Sequence, residues 1–350
     1  MGAFLVPTGR IIKEYLDERG ISQKDLAHRI DVSEKHISNL LNGKTRLTED
    51  MALKLERVMP DVSAGYWLNY EAKYQEYLAR EKEQEWLEGL DLKEIAERFH
   101  FKEVFKGAKM TLVEQAVEML KMLGVSSFDQ YRFALPNAAI EFMQDGGEPE
   151  AVVVWLKLCE DEVEGQNADL DSVPYSKRNL ERTLDKLKAI ASNPNLDNSL
   201  KSCRKLLNSV GVYLVEVPAV RNCKVRGALT TYKGHPAIYI SRRFKFHDYV
   251  WFAIIHELAH LLLHYNPKET YVAVDDLASS DEKDDEANDF ARAFFVNPDD
   301  YKGFIGSADI HDAGSVRRFA KGQGTTAGMV ASFLQHDGLI EYSELSMLRK

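Results

Sequence analysis

The sequence predicts a mainly α chain that closes in an α+β domain with a small β-sheet. Three observations carry that reading. Apolar residues recur at helical spacing through most of the first two hundred positions, beginning with Ile11, Ile12, Tyr15 and Leu16. Beyond residue 211 the period changes to two, in "VYLVEVPAV", "VRGALTTY" and "HPAIYIS", with Lys233-Gly234 separating the last two as a hairpin turn would. A chain of 350 residues also exceeds one ordinary domain. Changes of texture suggest three parts, 1–80, 81–200 and 201–350.

Composition narrows the functional classes. A net charge of −10 argues against a protein that coats nucleic acid. The charge is uneven: residues 21–47 carry five Lys/Arg against three Asp/Glu, whereas 275–289 carry eight carboxylates and one lysine. No apolar run reaches the roughly 18–20 residues of a membrane span. The opening "MGAFLVPTGRIIKEYLDERG" has no basic, apolar and small-residue succession of a secretory signal. Cys159, Cys203 and Cys223 are odd in number and widely spaced, which predicts buried free thiols in a reducing cytoplasm.

The first helix is expected to stop at Gly20. "ISQKDLAHRIDVSEKHISNLLNG" then predicts two short helices, capped by Ser22 and Ser33 and joined by a tight turn. Leu26, Ala27 and Ile30 face inward on one, Ile37, Leu40 and Leu41 on the other, and Asp31 occupies the turn position that needs a positive φ. This is a helix-turn-helix. Ser33, Glu34, Lys35, His36, Ser38 and Asn39 lie at the start or on the solvent face of its second helix, suited to base edges and phosphates in a major groove. Gln23 and Lys24 before it, and Lys44, Thr45 and Arg46 after it, suit phosphate oxygens. The register of Gln23, Ala27, Asp31 and Ile37 resembles the Xre/phage-repressor family, with Asp31 where that family prefers glycine. The stretch "VSEKHISNLLNGKTRLTEDMALKLERVMPDVSAGYWLNYEAKYQEYLA" resembles its HigA-type antitoxin branch. The resemblance implies double-stranded operator DNA as a partner. One domain supplies few phosphate contacts, so a homodimer reading two half-sites is expected.

Residues 81–200 read as helical scaffold: a charged helix continuing past residue 81, a second through Leu112, Val117, Leu120 and Leu123, a third in "NAAIEFMQDGGEPEAVVVWLKLCE", and one more in "SKRNLERTLDKLKAIASNPN". "EDEVEGQNADLDSVP" is the expected internal linker. Scaffold and effector sensing both stay open for this region.

"AIIHELAHLLLH", residues 253–264, concentrates the chemistry. His256 and His260 are four apart and leave one face of a helix one turn apart, so two imidazole nitrogens can converge on one metal ion. Glu257 is rotated about 100° from His256 and suits a general base. Val250, Trp251, Ile254, Ile255, Leu258, Leu261 and Leu262 predict that the helix is buried. The third ligand is sought in "SSDEKDDEANDFARAFF", where Glu286, one turn before Phe290 and two before Phe294, is assigned to the inward face. Asp284, Asp285 and Asp289 are assigned to helix capping or solvent. "HELAHLLLH" followed by "DEANDFARAFFVNP" resembles the ImmA/IrrE metallopeptidase family, whose pattern is HExxH followed by ExEANxFA. Residue by residue, His256, Glu257 and His260 match its ligand, base and ligand, and Glu286 matches the glutamate before Ala-Asn. Two departures are Ala259 for glycine and Asp284 for the first glutamate. The tail "SVRRFAKGQGTTAGMVASFLQHDGLI" resembles the helices that close this domain in long fused members.

The resemblance implies Zn2+ and a zincin-like domain in which Glu257 takes a proton from the attacking water and passes it to the leaving amine. Tyr265, His264 and His311 are candidates for the oxyanion donor. Two functions follow. One is a DNA-bound transcriptional regulator that cleaves a repressor or antitoxin, including itself. The other is a HigA-like antitoxin or repressor whose peptidase-like domain senses a ligand or binds a toxin.

Overall fold

The computed structural model describes residues 5–134, 148–166, 168–243, 245–274, 282–307 and 309–349, and the chain separates into two compact units, residues 1–92 and 93–350. The first unit contains five helices among its described residues: α1 (Thr8–Glu18), α2 (Gln23–Arg29), α3 (Glu34–Leu41), α4 (Glu49–Val58) and α5 (Ala64–Glu88). Local chemistry sets their starts. Ser22, Ser33, Thr48 and Ser63 each accept a hydrogen bond from the backbone N–H three residues on, a cap that contributes about 1 kcal/mol. Asp31 turns the chain between α2 and α3 at φ 53°. The inward residues expected from the sequence are buried, with Ile12, Leu16, Leu55 and Trp67 completing the core. Gly9 is required by a close approach: a Cβ there would lie 1.8 Å from the Leu40 carbonyl oxygen, so α1 crosses directly over the end of α3.

In the second unit a four-stranded sheet has the order β1–β3–β2–β4, formed by β1 (Tyr213–Glu216), β2 (Val225–Tyr232), β3 (His235–Ile240) and β4 (Tyr271–Val274). β2 and β3 form the expected hairpin, with Lys233 at φ 47° and Gly234 at φ 84°, the two positive values of a type I′ turn. β1 joins β3 in parallel and β4 joins β2 antiparallel, with an irregularity between Val225 and Gly227. Helix His247–Leu263 packs on β2 and β3 and is buried nearly all round, as its apolar run requires.

Three expectations change. The middle region is not a separate body: helix Pro149–Gly165 buries Val153, Val154, Trp155 and Cys159, and the Trp155 indole donates to the Val217 carbonyl at 2.9 Å. The proposed linker is packed rather than free, with Gln166 donating to the Leu214 carbonyl and the Tyr213 hydroxyl to the Ala168 carbonyl. The expected helix after Pro174 is two helices, Lys177–Glu181 and Leu184–Ala191, because the Thr183 hydroxyl donates back to the Leu180 carbonyl at 2.7 Å and closes a turn there. The helical reading of 137–147 lies outside the described residues. Cys159, Cys203 and Cys223 are buried thiols. Among the described residues no helix is long and apolar enough to cross a membrane.

Replacing Gly9 by Ala should loosen the α1–α3 crossing by about 2 kcal/mol. The measurement is hydrogen exchange, with a ~30-fold loss of protection expected in α1 and α3; unchanged protection would show that α1 can move aside at no cost.

Candidate metal centre and helix-turn-helix surface

The i,i+4 spacing on helix His247–Leu263 brings the His256 and His260 Nε2 atoms to 3.1 Å. Asp284 Oδ1, from helix Glu282–Phe295, lies 3.1 Å from His260 Nε2 and 3.8 Å from His256 Nε2. Both histidines are buried, and Asp284 nearly so. The far side of each ring is occupied. His256 Nδ1 is 3.0 Å from the Asn288 Oδ1 acceptor, and His260 Nδ1 is 3.2 Å from His264 Nδ1. A ring that donates through Nδ1 keeps its Nε2 lone pair. With both rings donating through Nδ1, two imidazole lone pairs and a carboxylate oxygen face one point, an arrangement that repels itself unless a proton or a cation sits between them. Two nitrogens and one oxygen suit a borderline-soft divalent ion such as zinc, with one position left open. The residues fit that ion.

Glu257 is fully buried, and neither of its carboxylate oxygens has a hydrogen-bond partner among the described residues. Burial pushes its pKa well above the usual carboxylate range, and the nearby Asp284 charge pushes the same way. Burial together with the neighbouring His260 holds His256 below the ordinary histidine range, so it is neutral at pH 7, as a metal ligand must be. Gly227 makes the room for Glu257. A Cβ at that position would stand 2.6 Å from Glu257 Oε1, and the residue sits at the β2 irregularity, where a strand admits a close neighbour. A cleft of about 560 Å³ opens on His256 and Asp284, with Asn288, Arg226, Arg292 and Phe333 among its walls.

The structure places the expected third ligand away from the two histidines. Glu286 does not join the two histidines; its side chain is more than half exposed, and Oε2 accepts from His264 Nε2 at 2.8 Å. Asp284 takes the inward place. The phase of the helix explains the exchange. Phe290 and Phe294 had set the expected inward stripe, yet Ala287, Ala291 and Phe295 are the buried residues. Small alanines let this helix approach the histidine helix closely, and Asp284 and Asn288 continue the alanine face. The signal present in the sequence was the i, i+3, i+7, i+11 pattern from Asp284, less conspicuous than two phenylalanines. Gly227 and Tyr271, which stacks on His260 at 5.2 Å, had no signature in a single chain, and Asn288 showed only as the asparagine of the ExEANxFA pattern. Of the suggested oxyanion donors, the Tyr265 hydroxyl is hydrogen-bonded to Thr231 and His311 Nδ1 to Glu344. His264 backs His260.

In the first unit, Gln23, Lys24, Ser33, Glu34, Lys35, His36, Lys44 and Arg46 are exposed, and Ser38, Asn39 and Thr45 are half-buried. Some of these groups hold the motif together. Gln23 donates to the Glu34 carbonyl at 3.2 Å, locking α2 to the start of α3, and the Ser33 hydroxyl is engaged by its cap. The Thr45 hydroxyl is buried and turned away from solvent.

Residues 12–67 match the family model described as helix-turn-helix, and residues 215–306 match the peptidase family model described as IrrE N-terminal-like domain. The second span contains the histidines, Glu257 and Asp284. The chain is 41% identical over 61 residues to the uncharacterized HTH-type transcriptional regulator YddM of Escherichia coli strain K12, covering 17% of this chain and 64% of the relative. It is 32% identical over 60 residues to virulence-associated protein A of Dichelobacter nodosus (17% and 59%), and 35% over 66 residues to virulence-associated protein A′ of the same organism (19% and 57%). The chain thus spans less than two thirds of the length of these curated relatives.

Glu257 should carry a stability cost in the metal-free protein. Below pH 4.5 the group is protonated in both folded and unfolded chains, so nothing is lost; as the pH rises above that value the unfolded chain ionises first and stability falls. Glu257→Gln should raise the thermal midpoint of the metal-free protein at pH 8 by about 3 °C or more, with the gain shrinking towards pH 4.5. An equal midpoint at both pH values would show that the carboxyl is solvated.

Proposed function

We propose that this chain is a DNA-binding transcriptional regulator whose second unit is a zinc-dependent endopeptidase, with His256, His260 and Asp284 as the metal ligands and Glu257 as the general base. The observation that carries the reading is the convergence of the two histidine Nε2 atoms and the Asp284 carboxylate beside a buried Glu257 that has no hydrogen-bond partner among the described residues. Zinc bound there supplies Lewis acidity towards a peptide carbonyl and towards water. Glu257 receives the proton of the attacking water and delivers it to the leaving amine. Its raised proton affinity suits that exchange near neutral pH. Asn288 orients the His256 ring through Nδ1. The cleft beside His256 and Asp284 receives the polypeptide, and its apolar wall around Phe333 excludes water from one side. The helix-turn-helix supplies the address, through Lys35, His36 and the residues flanking α3 on operator DNA, as a homodimer. The substrate class that unites the two units is a protein acting at the same operator, a repressor or antitoxin, or this chain itself.

Two measurements test the reading. Expression of the wild type and of Glu257→Gln in the same bacterial host, followed by mapping of new protein N-termini, should yield at least one cleavage that depends on Glu257. Identical maps from the two would end the peptidase assignment. On DNA, selection from a random pool should enrich a site, and Lys35→Ala should weaken binding across sequences while lowering the slope of log affinity against log salt by about one. Failure to enrich any site would contradict the operator role.

A further inference from the structure

His264 follows His260 by one turn, at the C-terminal cap of the histidine helix, and is tucked behind it. Its Nδ1 lies 3.2 Å from His260 Nδ1, and its Nε2 lies 2.8 Å from Glu286 Oε2. With a neutral His264, the protons on this chain have one self-consistent arrangement. A carboxylate only accepts, so the proton between His264 and Glu286 sits on His264 Nε2. A neutral His264 then offers Nδ1 as an acceptor. His260 Nδ1 must therefore donate, which leaves the His260 Nε2 lone pair directed at His256 and Asp284. We propose that His264 and Glu286 form a positioning relay that fixes the tautomer and orientation of His260 for metal binding. The proposal rests on the zinc reading above and adds two residues that do not touch the ion.

The two histidine ligands are buttressed differently. His256 is held by the neutral Asn288 amide, on the same helix as Asp284. His260 is held by a chain that ends in a carboxylate at the surface, Glu286 being 57% exposed. Tyr271 reinforces the second arm twice. Its ring stacks on His260 with an interplanar angle of 14°, and its hydroxyl donates to the His264 carbonyl at 2.7 Å. Partners of this kind orient metal-bound imidazoles, and their loss typically weakens metal binding 10–100-fold.

The test is zinc affinity of the full chain, measured by competition with a chromogenic chelator, on wild type, His264→Phe, Glu286→Ala, Glu286→Gln and Asp284→Ala. The relay predicts that Asp284→Ala loses zinc, whereas His264→Phe and Glu286→Ala retain it 10–100-fold more weakly. Glu286→Gln keeps an acceptor for the His264 proton and should recover most of the loss. Nitrogen NMR of the wild type should show the His260 proton on Nδ1, and that preference should fade in Glu286→Ala. Glu286 is exposed, so its variants read out the relay even where His264→Phe fails to fold. Affinities within twofold of wild type for both His264→Phe and Glu286→Ala, with zinc still lost in Asp284→Ala, would overturn the relay and leave the metal centre standing. Loss of zinc in Glu286→Ala as complete as in Asp284→Ala would make Glu286 a ligand and overturn its positioning role. A wild type that binds no zinc would overturn the relay together with the reading beneath it.

Discussion

Two histidines and a glutamate within one turn of a buried helix are the constraint on which the second unit depends. Helix His247–Leu263 carries them beside its own buried Ile254, Ile255, Leu258 and Leu261, where unpartnered polar groups are costly. The fold answers each group separately. His256 has Asn288, His260 has His264, and the two remaining ring nitrogens meet the Asp284 carboxylate. Glu257 receives no hydrogen-bond partner among the described residues and is held next to Gly227 instead. A fold shaped only for stability would have replaced this carboxylate with an apolar side chain. Its retention in a dry niche beside three convergent donors is what a base for metal-assisted hydrolysis needs.

The surrounding architecture can be read as support for that one turn. The β2 irregularity at Gly227 lets the sheet approach Glu257, and Ala287 and Ala291 let the acidic helix approach from the other side. Trp251 anchors the helix by donating to Ser199 at 3.0 Å. At the start of the same helix, Asp248 is buried against Arg349 at 2.7 Å. The last described turn of the chain therefore helps to seat the first turn of the histidine helix. Helix Pro149–Gly165 covers β1, which is why the middle of the sequence belongs to this unit rather than standing between two others.

Much of this was legible from residues alone, and the divide follows the range of the forces involved. The helix-turn-helix was readable because its signals are local: hydroxyl caps at Ser22 and Ser33, a residue tolerant of positive φ at Asp31, and apolar spacing on α2 and α3. HExxH was readable because a helix translates i,i+4 directly into proximity. The choice between Asp284 and Glu286 was not local. It depended on which face of their helix packs, and close contact between backbones favours the alanines over the larger phenylalanines. The same reason hid Gly227 and Asn288, whose meaning exists only across the sheet and between helices.

The central claim is that His256, His260 and Asp284 hold one zinc ion with a position left open, and X-ray absorption at the zinc edge of the full-length protein tests it most directly. The account predicts about one zinc per chain with two imidazole nitrogens and oxygen ligands near 2.0 Å, and no sulfur. It also predicts that this signal vanishes in Asp284→Ala. A shell with fewer than two imidazoles, a sulfur ligand, or an unchanged spectrum in Asp284→Ala would contradict it.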